Sequence, residues 1–372
     1  MAKYKIAWMP GDGIGVDVMD ATKVVLDALN FDAEYIHGDI GWEIWRKEGD
    51  ALPQRTIELL KNVDAALFGA ITSKPKEEAE AELIPELQGK NLKYLSPIVR
   101  MRQMFDLHSN LRPCKAYKGN PLNFKDDIDI VVFRENTEDL YAGVEYFPVP
   151  EDLRALLDKH PKMKEFANDP NDEMAISLRI MTKDGCSKIV RSAFEYAKKH
   201  DRKKVTLIEK PNVIRETSGL MTRIARAIHK NEYPEIAFEE VNVDAACMWL
   251  VKNPEAFDVI VTSNMFGDIV SDLAAQLVGG LGFASSGNIG DKVAVFEPTH
   301  GSAPKYAGMN KVNPIACILA GKLMLEWLGE NEYAMRIEKA VSKVLSEGKV
   351  KTYDMGGKNT SLEVAKEIAS KL

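Results

Sequence analysis

The chain has 372 residues, 45% of them hydrophobic, and a formal net charge of −7 at pH 7. That length can bury one large core or two medium ones, and the negative balance excludes general affinity for nucleic acid. No long apolar run suited to a membrane and no secretory signal can be read, so a soluble, cytoplasmic protein is expected. Cys114, Cys186, Cys247 and Cys317 are scattered without a Cys-x-x-Cys pair. They read as buried reduced thiols, not as a disulfide framework or zinc site.

In chain order, the apolar run KIAWM meets Gly11, Gly13 and Gly15 of PGDGIG, and a helical stretch, VDVMDATKVVLDAL, follows. A dinucleotide fingerprint needs Gly-x-Gly-x-x-Gly. Val16 or Val18, depending on the register chosen, stands where the third glycine belongs. A tight strand-to-helix turn is the better reading, even with Glu34 at a spacing that suits a ribose. Strand-like runs then alternate with helical ones: AALFGAI, DIVVFRE, KVTLIEK before GLMTRIARAIHK, and DVIVTSN before DIVSDLAAQLV. The alternation predicts an α/β architecture with a substantially parallel sheet. Val149 to Glu173, VPEDLRALLDKHPKMKEFANDPNDE, is charged and proline-flanked and reads as a surface excursion. The last third reads helical, with apolar residues three and four apart in NPIACILAGKLMLEWLG, EYAMRIEKAVSKVLSEG and SLEVAKEIASKL.

Several of these runs carry chemistry. Arg102 and Arg112 flank QMFDLHSNL, and Arg134 closes the apolar run of VVFRENTEDLY. NLRP is expected to end a strand, and strand ends are where α/β proteins put ligand sites. Three guanidiniums converging there suit a small polycarboxylate, each offering a two-pronged fork. In DVIVTSNMFGDIVSDL, Asp268 and Asp272 fall four apart at an expected helix start. Both carboxylates then share one face, a repulsive pairing unless a cation sits between them. Mg²⁺ or Mn²⁺ would supply it; Asp268 as a helix N-cap beside a solvated Asp272 is the other reading. Asp244, in VNVDAACMWL, is a third carboxylate after an expected strand. FEPTHGSAPKYAGMNKVNP, dense in Gly, Pro, Ser, Thr and Asn, offers free backbone N–H groups suited to phosphate or adenine, with His300 as a ligand contact.

Together PGDGIG, NLRP, RENTEDLYAGVEY, EKPNV, VDAACMWLV, TSNMFGDIVSDLAAQLVGGLG and FEPTHGSAPKYAG resemble the β-decarboxylating dehydrogenases of isocitrate and 3-isopropylmalate. The resemblance runs in order over nearly the whole chain. It implies a two-domain α/β fold of the isopropylmalate dehydrogenase type, with a mixed, mostly parallel sheet that is not a Rossmann fold. Residues 1–107 with 279–372 would form a large cofactor-binding domain. Residues 108–278 would form a small domain with the dimer interface and a clasp at about 149–173. Arg102, Arg112 and Arg134 would hold the carboxylates of a malate-like core, with Ser96 and Asn212 also at the substrate. Asp268 and Asp272 would bind Mg²⁺ or Mn²⁺, joined by Asp244 from the second subunit of a homodimer with shared sites. Lys210, also from the second subunit, would take the C2 hydroxyl proton directly or through Asp244, and Tyr141 would protonate carbon after CO₂ leaves. Thr72, Glu297, His300, Gly301, Ser302, Ala303, Lys305, Tyr306, Asn313 and Tyr353 would line a nicotinamide cofactor.

RENTEDLYAGVEY and Ser96, six before Arg102, resemble the isocitrate enzymes. Ile98 replaces their usual asparagine and Val99 follows it, which keeps 3-isopropylmalate and homoisocitrate as alternatives. A non-catalytic regulatory subunit is a further alternative, opposed by the presence of Tyr141, Lys210, Asp244, Asp268 and Asp272. Lys305 and Tyr306 after HGSAP resemble NADP-dependent relatives, where NAD enzymes carry an acid. A preference for NADP with measurable NAD activity is therefore expected. The arginine that often follows the residue matched by Tyr353 is missing, leaving Lys358 to substitute. Neither nucleic acid nor membrane is expected as a partner.

Overall fold

The computed structural model describes residues 2–372. Ten strands form one sheet: β1 (Tyr4–Gly11), β2 (Ala33–His37), β3 (Ala65–Ala70), β4 (Ser109–Lys115), β5 (Asp129–Glu135), β8 (Lys204–Glu209), β9 (Ala237–Asn242), β10 (Val259–Thr262), β11 (Ser285–Ile289) and β12 (Ala294–Pro298). β6 (Glu145–Tyr146) and β7 (Ile176–Ser177) pair separately and antiparallel. The order in the large sheet is β2-β1-β3-β12-β11-β4-β5-β10-β8-β9. Parallel pairs occupy both flanks, whereas β12–β11, β11–β4 and β4–β5 in the centre are antiparallel. The sheet is thus mixed and mostly parallel. Parallel pairing needs helical crossovers that cover the faces, which is why β3, AALFGA, and β10, VIVT, are buried along their whole length.

The two faces are packed differently. On one, Ile6, Leu67, Leu111, Val131, Phe133, Leu207 and Val261 belong to a single apolar cluster reaching from one flank to the other. On the other face the core is broken in two. Ala7, Met9, Phe68 and Val295 pack with Ile57, Leu60 and Met101, and Ile130, Val132, Ile208 and Ile260 pack with Ala246, Leu250, Val270 and Ala274. The break lies over Asn110 and Arg112 of β4 and Arg134 at the end of β5, while Ile130 and Val132 of β5 stay within the second cluster. Because side chains alternate across a strand, those strands send Asn110, Arg112 and Arg134 into the break and Pro113, Lys115, Asp129 and Val131 to the opposite face. There a second cavity, of about 240 Å³, is bounded by Lys115, Lys322, Glu326 and Glu338. Lys115 meets Glu338 at 2.7 Å and Lys322 meets Glu326 at 2.9 Å.

The glycine turn is structural. Gly11 and Gly13 have φ of +69° and +56°, a region that favours glycine. A Cβ on Gly13 would lie 2.3 Å from the Ser302 carbonyl oxygen, and one on Gly15 would lie 2.2 Å from the Pro10 oxygen. The Ile14 N–H donates to that same Ser302 carbonyl at 2.8 Å. The turn thus brings the helix Ile14–Ala28 against β3 and holds the HGSAP loop by its backbone.

The excursion from Val149 to Glu173 is a small folded arm. Its helix Glu151–Leu157 carries the buried Arg154. Arg154 donates to the Phe166 and Asp169 carbonyls at 2.8 and 2.9 Å. Cys114, Cys186 and Cys317 are buried, and Cys247, contrary to expectation, is only half-buried; all four are free thiols. Among the described residues no helix is long and apolar enough to cross a membrane.

Gly15→Ala is expected to cost about 1–3 kcal/mol, because the added methyl meets backbone and not a side chain that can turn away. The measurement is the urea midpoint at unchanged slope. An unshifted midpoint would show that the close approach is not required.

Candidate active site

Three arginines enter the break in the core from three elements. Arg102 comes from the helix Pro97–Met104, Arg112 from β4 and Arg134 from β5. All are buried, with 7%, 8% and 1% of their surface exposed. Arg112 stands inside β4, which runs on to Lys115, and not at a strand end as expected. Alternation along the strand, not its terminus, delivers it to the site.

Each guanidinium has polar partners. Arg102 Nε donates to Asn288 Oδ1 at 2.9 Å, and its Nη2 lies 3.4 Å from Glu297 Oε1. Arg112 Nε donates to Asn110 Oδ1 at 2.7 Å, and its Nη1 to Ser271 Oγ at 2.7 Å and Asp272 Oδ1 at 3.0 Å. Arg134 Nε and Nη2 donate to Asn264 Oδ1 at 3.0 and 2.8 Å, and its Nη1 to Asp268 Oδ1. Asn288 is a hub: its Oδ1 also accepts from Asn110 at 2.7 Å and Asn136 at 3.1 Å, and its Nδ2 donates to Glu297 at 2.7 Å.

Asp268 and Asp272 lie in the helix Asn264–Gln276, whose N-cap position is Ser263. Asp268 is therefore not the cap. Arg112 reaches both carboxylates, 3.0 Å from Asp272 and 3.5 Å from Asp268, and so offsets their repulsion. Asp268 Oδ2 also accepts the Tyr141 hydroxyl at 2.6 Å, and the Arg134 guanidinium lies 4.9 Å from the Tyr141 ring centre. Burial acts to raise the Asp268 carboxyl, but Arg134, the Tyr141 hydroxyl, Arg112 and Arg102 outweigh it and hold the group below its ordinary value. Asp272 goes the other way, because burial outweighs its contact with Arg112. Arg134 is pushed down to about 10 by burial, then by Arg112 and Arg102. Burial, and then the bond to ionised Asp268, raises the Tyr141 phenol.

Other expected residues stand apart from this group. Lys210 and Asp244 form an ion pair with each other, with no hydrogen bond or ion pair to Asp268, Asp272 or the three arginines among the described residues. Asn212 is exposed. Ser96 is half-buried at the start of its helix with an uncommitted hydroxyl. Ser96 and Ile98 share a cavity of about 250 Å³ with Arg102, Arg112, Glu297 and His300.

The HGSAP loop borders the same cavity. Ser302 Oγ bonds Thr72 Oγ1 at 2.6 Å. Beneath them Asp12, of the glycine turn, accepts from the backbone N–H groups of Trp42, Glu43 and Thr72 at 2.7, 3.2 and 2.9 Å. Nothing marked Asp12 in advance, since a carboxylate inside a glycine turn reads as solvated. His300 Nε2 is buried without a partner, and burial lowers the imidazole. Gly301 is exposed, and Ala303 turns the chain with φ +34°. Asn313 is buried, donating to Asp354 at 3.0 Å and accepting from the Ile315 N–H at 3.0 Å. Beyond them Tyr306 and Tyr353 lie 5.8 Å apart. Lys305 sits 4.8 Å from the Tyr306 ring centre, while Lys311 lies 5.7 Å from Tyr306 and 5.0 Å from Tyr353. Lys358, expected to substitute for the missing arginine, is exposed and lies over neither ring among the described residues.

The isocitrate/isopropylmalate dehydrogenase family model matches residues 5–370. The chain is 43% identical over 366 residues to protein DlpA of Legionella pneumophila, covering 98% of this chain but spanning only 58% of DlpA. It is 42% identical to 3-isopropylmalate dehydrogenase of Methanothermobacter thermautotrophicus, over 100% of this chain and 99% of that one. The crystal structure of isocitrate dehydrogenase from Methylococcus capsulatus superposes with a TM-score of 0.85 at 37% identity, covering 99% of both chains.

Asn288→Ala removes the acceptor shared by Arg102, Asn110 and Asn136 and leaves buried donors unpaired. The expected loss is about 2–4 kcal/mol in urea unfolding. A loss under about 1 kcal/mol would show that other contacts hold the arginine cluster.

Proposed function

The chain belongs to the isocitrate/isopropylmalate dehydrogenase family, and from that premise we propose that it oxidatively decarboxylates isocitrate to 2-oxoglutarate and CO₂, using a divalent cation and preferring NADP to NAD. One observation carries the reading: three buried guanidiniums and two carboxylates converge in a single break of the core. The guanidiniums match a substrate with several carboxylates. Asp268 and Asp272 are hard oxygen donors, and among the described residues no third acidic, histidine or cysteine side chain joins them. That set fits Mg²⁺ or Mn²⁺, which take one or two carboxylates and complete their shell with water and substrate oxygens.

A bound cation, held by Asp268 and Asp272, would supply Lewis acidity, and a bound nicotinamide would supply the hydride acceptor. The chain's own residues handle the rest. Arg102, Arg112 and Arg134 grip the carboxylates and fix which face of C2 is presented. Lys210 passes a proton to Asp244, its ion-pair partner, and takes the C2 hydroxyl proton in its place. The C3 carboxylate then leaves as CO₂. Tyr141, kept protonated by burial and by its bond to Asp268, delivers its hydroxyl proton to C3.

Because Lys210 and Asp244 do not join the arginine group within one chain, a homodimer with shared sites is the arrangement that unites them. Supporting it, the helix Val243–Lys252 that carries Asp244 exposes Met248, Trp249 and Val251, and the neighbouring Asp268 helix exposes Ile269. A second copy would cover this apolar face. On the cofactor side, Lys305 and Lys311 have no acidic partner among the described residues, and with Tyr306 and Tyr353 they suit a 2′-phosphate.

A second substrate reading rests on Ile98, which packs against the apolar cluster containing Phe68 and Met101. An isopropyl group would find that wall favourable, whereas a γ-carboxylate or the longer arm of homoisocitrate would rely on Ser96. Assaying isocitrate, homoisocitrate and 3-isopropylmalate, each with NADP and NAD, decides the matter. Turnover of 3-isopropylmalate alone would overturn isocitrate, and no turnover with any of the three would support a non-catalytic subunit.

Asp268→Asn is expected to abolish turnover with its circular dichroism spectrum unchanged; activity at low Mg²⁺ would refute the assignment. Tyr141→Phe should lower product formation by about 10²- to 10⁴-fold while sparing hydride transfer. For the cofactor, one cation–phosphate contact is worth about 1.5–3 kcal/mol. Lys305→Asp or Lys311→Ala should therefore cut the NADP-to-NAD ratio of kcat/KM by roughly 10- to 150-fold. An unchanged ratio in both variants would remove the phosphate from this cluster.

A further inference from the structure

Behind the cluster of arginines and aspartates lies a second buried charge network that the reaction itself does not use. The helix carrying Asp268 has no side-chain cap of its own. Its first N–H groups are satisfied from other elements: Glu209, at the end of β8, accepts from Ser263 N–H at 3.1 Å, and Asp139 accepts from Met265 N–H at 2.9 Å. Both carboxylates are buried, with 2% and 1% exposure. A helix N-terminus favours such anions, yet two of them need a counter-charge. Arg179 provides it. Its Nε bonds Asp139, its Nη2 reaches Ser263 Oγ at 2.7 Å and Glu209 at 3.4 Å, and its Nη1 reaches Ser218 Oγ at 2.9 Å.

Three of the groups that Arg179 holds are close in sequence to a residue of the proposed reaction or to one that clamps it. Asp139 precedes Tyr141 by two positions, Glu209 adjoins Lys210, and Ser263 adjoins Asn264, which clamps Arg134. Asp139 also has φ +69° and ψ −146°, a backbone conformation normally left to glycine. Such strain persists only where surrounding contacts impose it. Here the backbone bond from the Asp139 N–H to the Ile180 carbonyl, at 2.7 Å, holds the main chain, while Arg179 and the Met265 N–H hold the carboxylate. Arg179 itself arrives on the return strand of the arm: Leu178 N–H bonds the Val144 carbonyl at 2.9 Å, just after β7 pairs with β6.

We propose that Arg179 is a positioning residue, a buried fork through which the β6–β7 arm sets the mutual placement of Tyr141, Lys210 and the helix bearing Asp268 and Asp272. The inference rests on the reaction assigned above. Lysine keeps the charge but offers one centre in place of a planar fork. It cannot span Asp139, Glu209 and both serines.

The test uses the full-length protein and its Arg179→Ala and Arg179→Lys variants, with kcat, KM, Mn²⁺ affinity without substrate or cofactor, and thermal midpoint as readouts. In Arg179→Ala, kcat should fall by about 10- to 100-fold with KM much less affected, and Mn²⁺ should bind more weakly. Added guanidinium ion should restore part of kcat without raising the thermal midpoint. Arg179→Lys should give an intermediate kcat, which serves as the reading if the alanine variant does not fold. Parental kcat and Mn²⁺ affinity in either variant would overturn the proposal. So would a loss in Arg179→Ala that follows the unfolded fraction and ignores guanidinium. If the parent turns over none of the three substrates, the assigned reaction fails. A Mn²⁺ affinity lowered in the variants would even then uphold the positioning role.

Discussion

Arg134 is the most deeply buried of three guanidiniums that share one pocket, so burial and two like charges both act against its ionised state. A cluster of that kind persists only if counter-charges and acceptors are fixed around it. Asp268, Asp272 and Glu297 supply the charge, and Asn264, Asn110 and Asn288 supply acceptors. The polar break in the core therefore depends on this single arrangement. Without it, the β4–β5 face would have to be filled by apolar side chains, as it is on both sides of the break.

The turns around this pocket are held by close approaches and backbone hydrogen bonds. The glycine turn cannot carry side chains because it approaches Ser302 and Pro10 through backbone atoms. Asp12 then joins the turn to Thr72 and to the N-terminus of the helix beginning at Trp42. On the far side, Asp139 and Glu209 hold the Asp268 helix by its first N–H groups. The charged pocket is thus framed by backbone hydrogen bonds to buried carboxylates on two sides.

Much of this was legible in the sequence. The α/β alternation, the helical last third and the three arginines follow from period and residue type alone, and the glycine turn was correctly read as structural. What was misread has physical causes. Arg112 looked like a strand end because Pro113 follows it, yet β4 continues through that proline to Lys115. Asp268 was left between cap and ligand because a sequence does not reveal that Ser263 already occupies the cap. That Arg112 also reaches both aspartates could not be foreseen, since the pairing depends on two elements far apart in the chain. Asn288 and Arg179 gave no signal at all. Their roles come from burial and from partners that only the fold brings together. The position of Lys311 beside Tyr306 and Tyr353 likewise gives no signal, because distance along the chain is a poor guide to what lies over a ring.

One consequence of the unbroken sheet concerns its two opposite hollows. The pocket of arginines and the cavity between Lys115 and Glu338 share β4 and β5 as a common floor. Alternation along β4 sets Arg112 between Leu111 and Pro113, so one stretch of backbone sends a side chain into each hollow. The two hollows therefore stand back to back, and a shift of that strand would be felt in both.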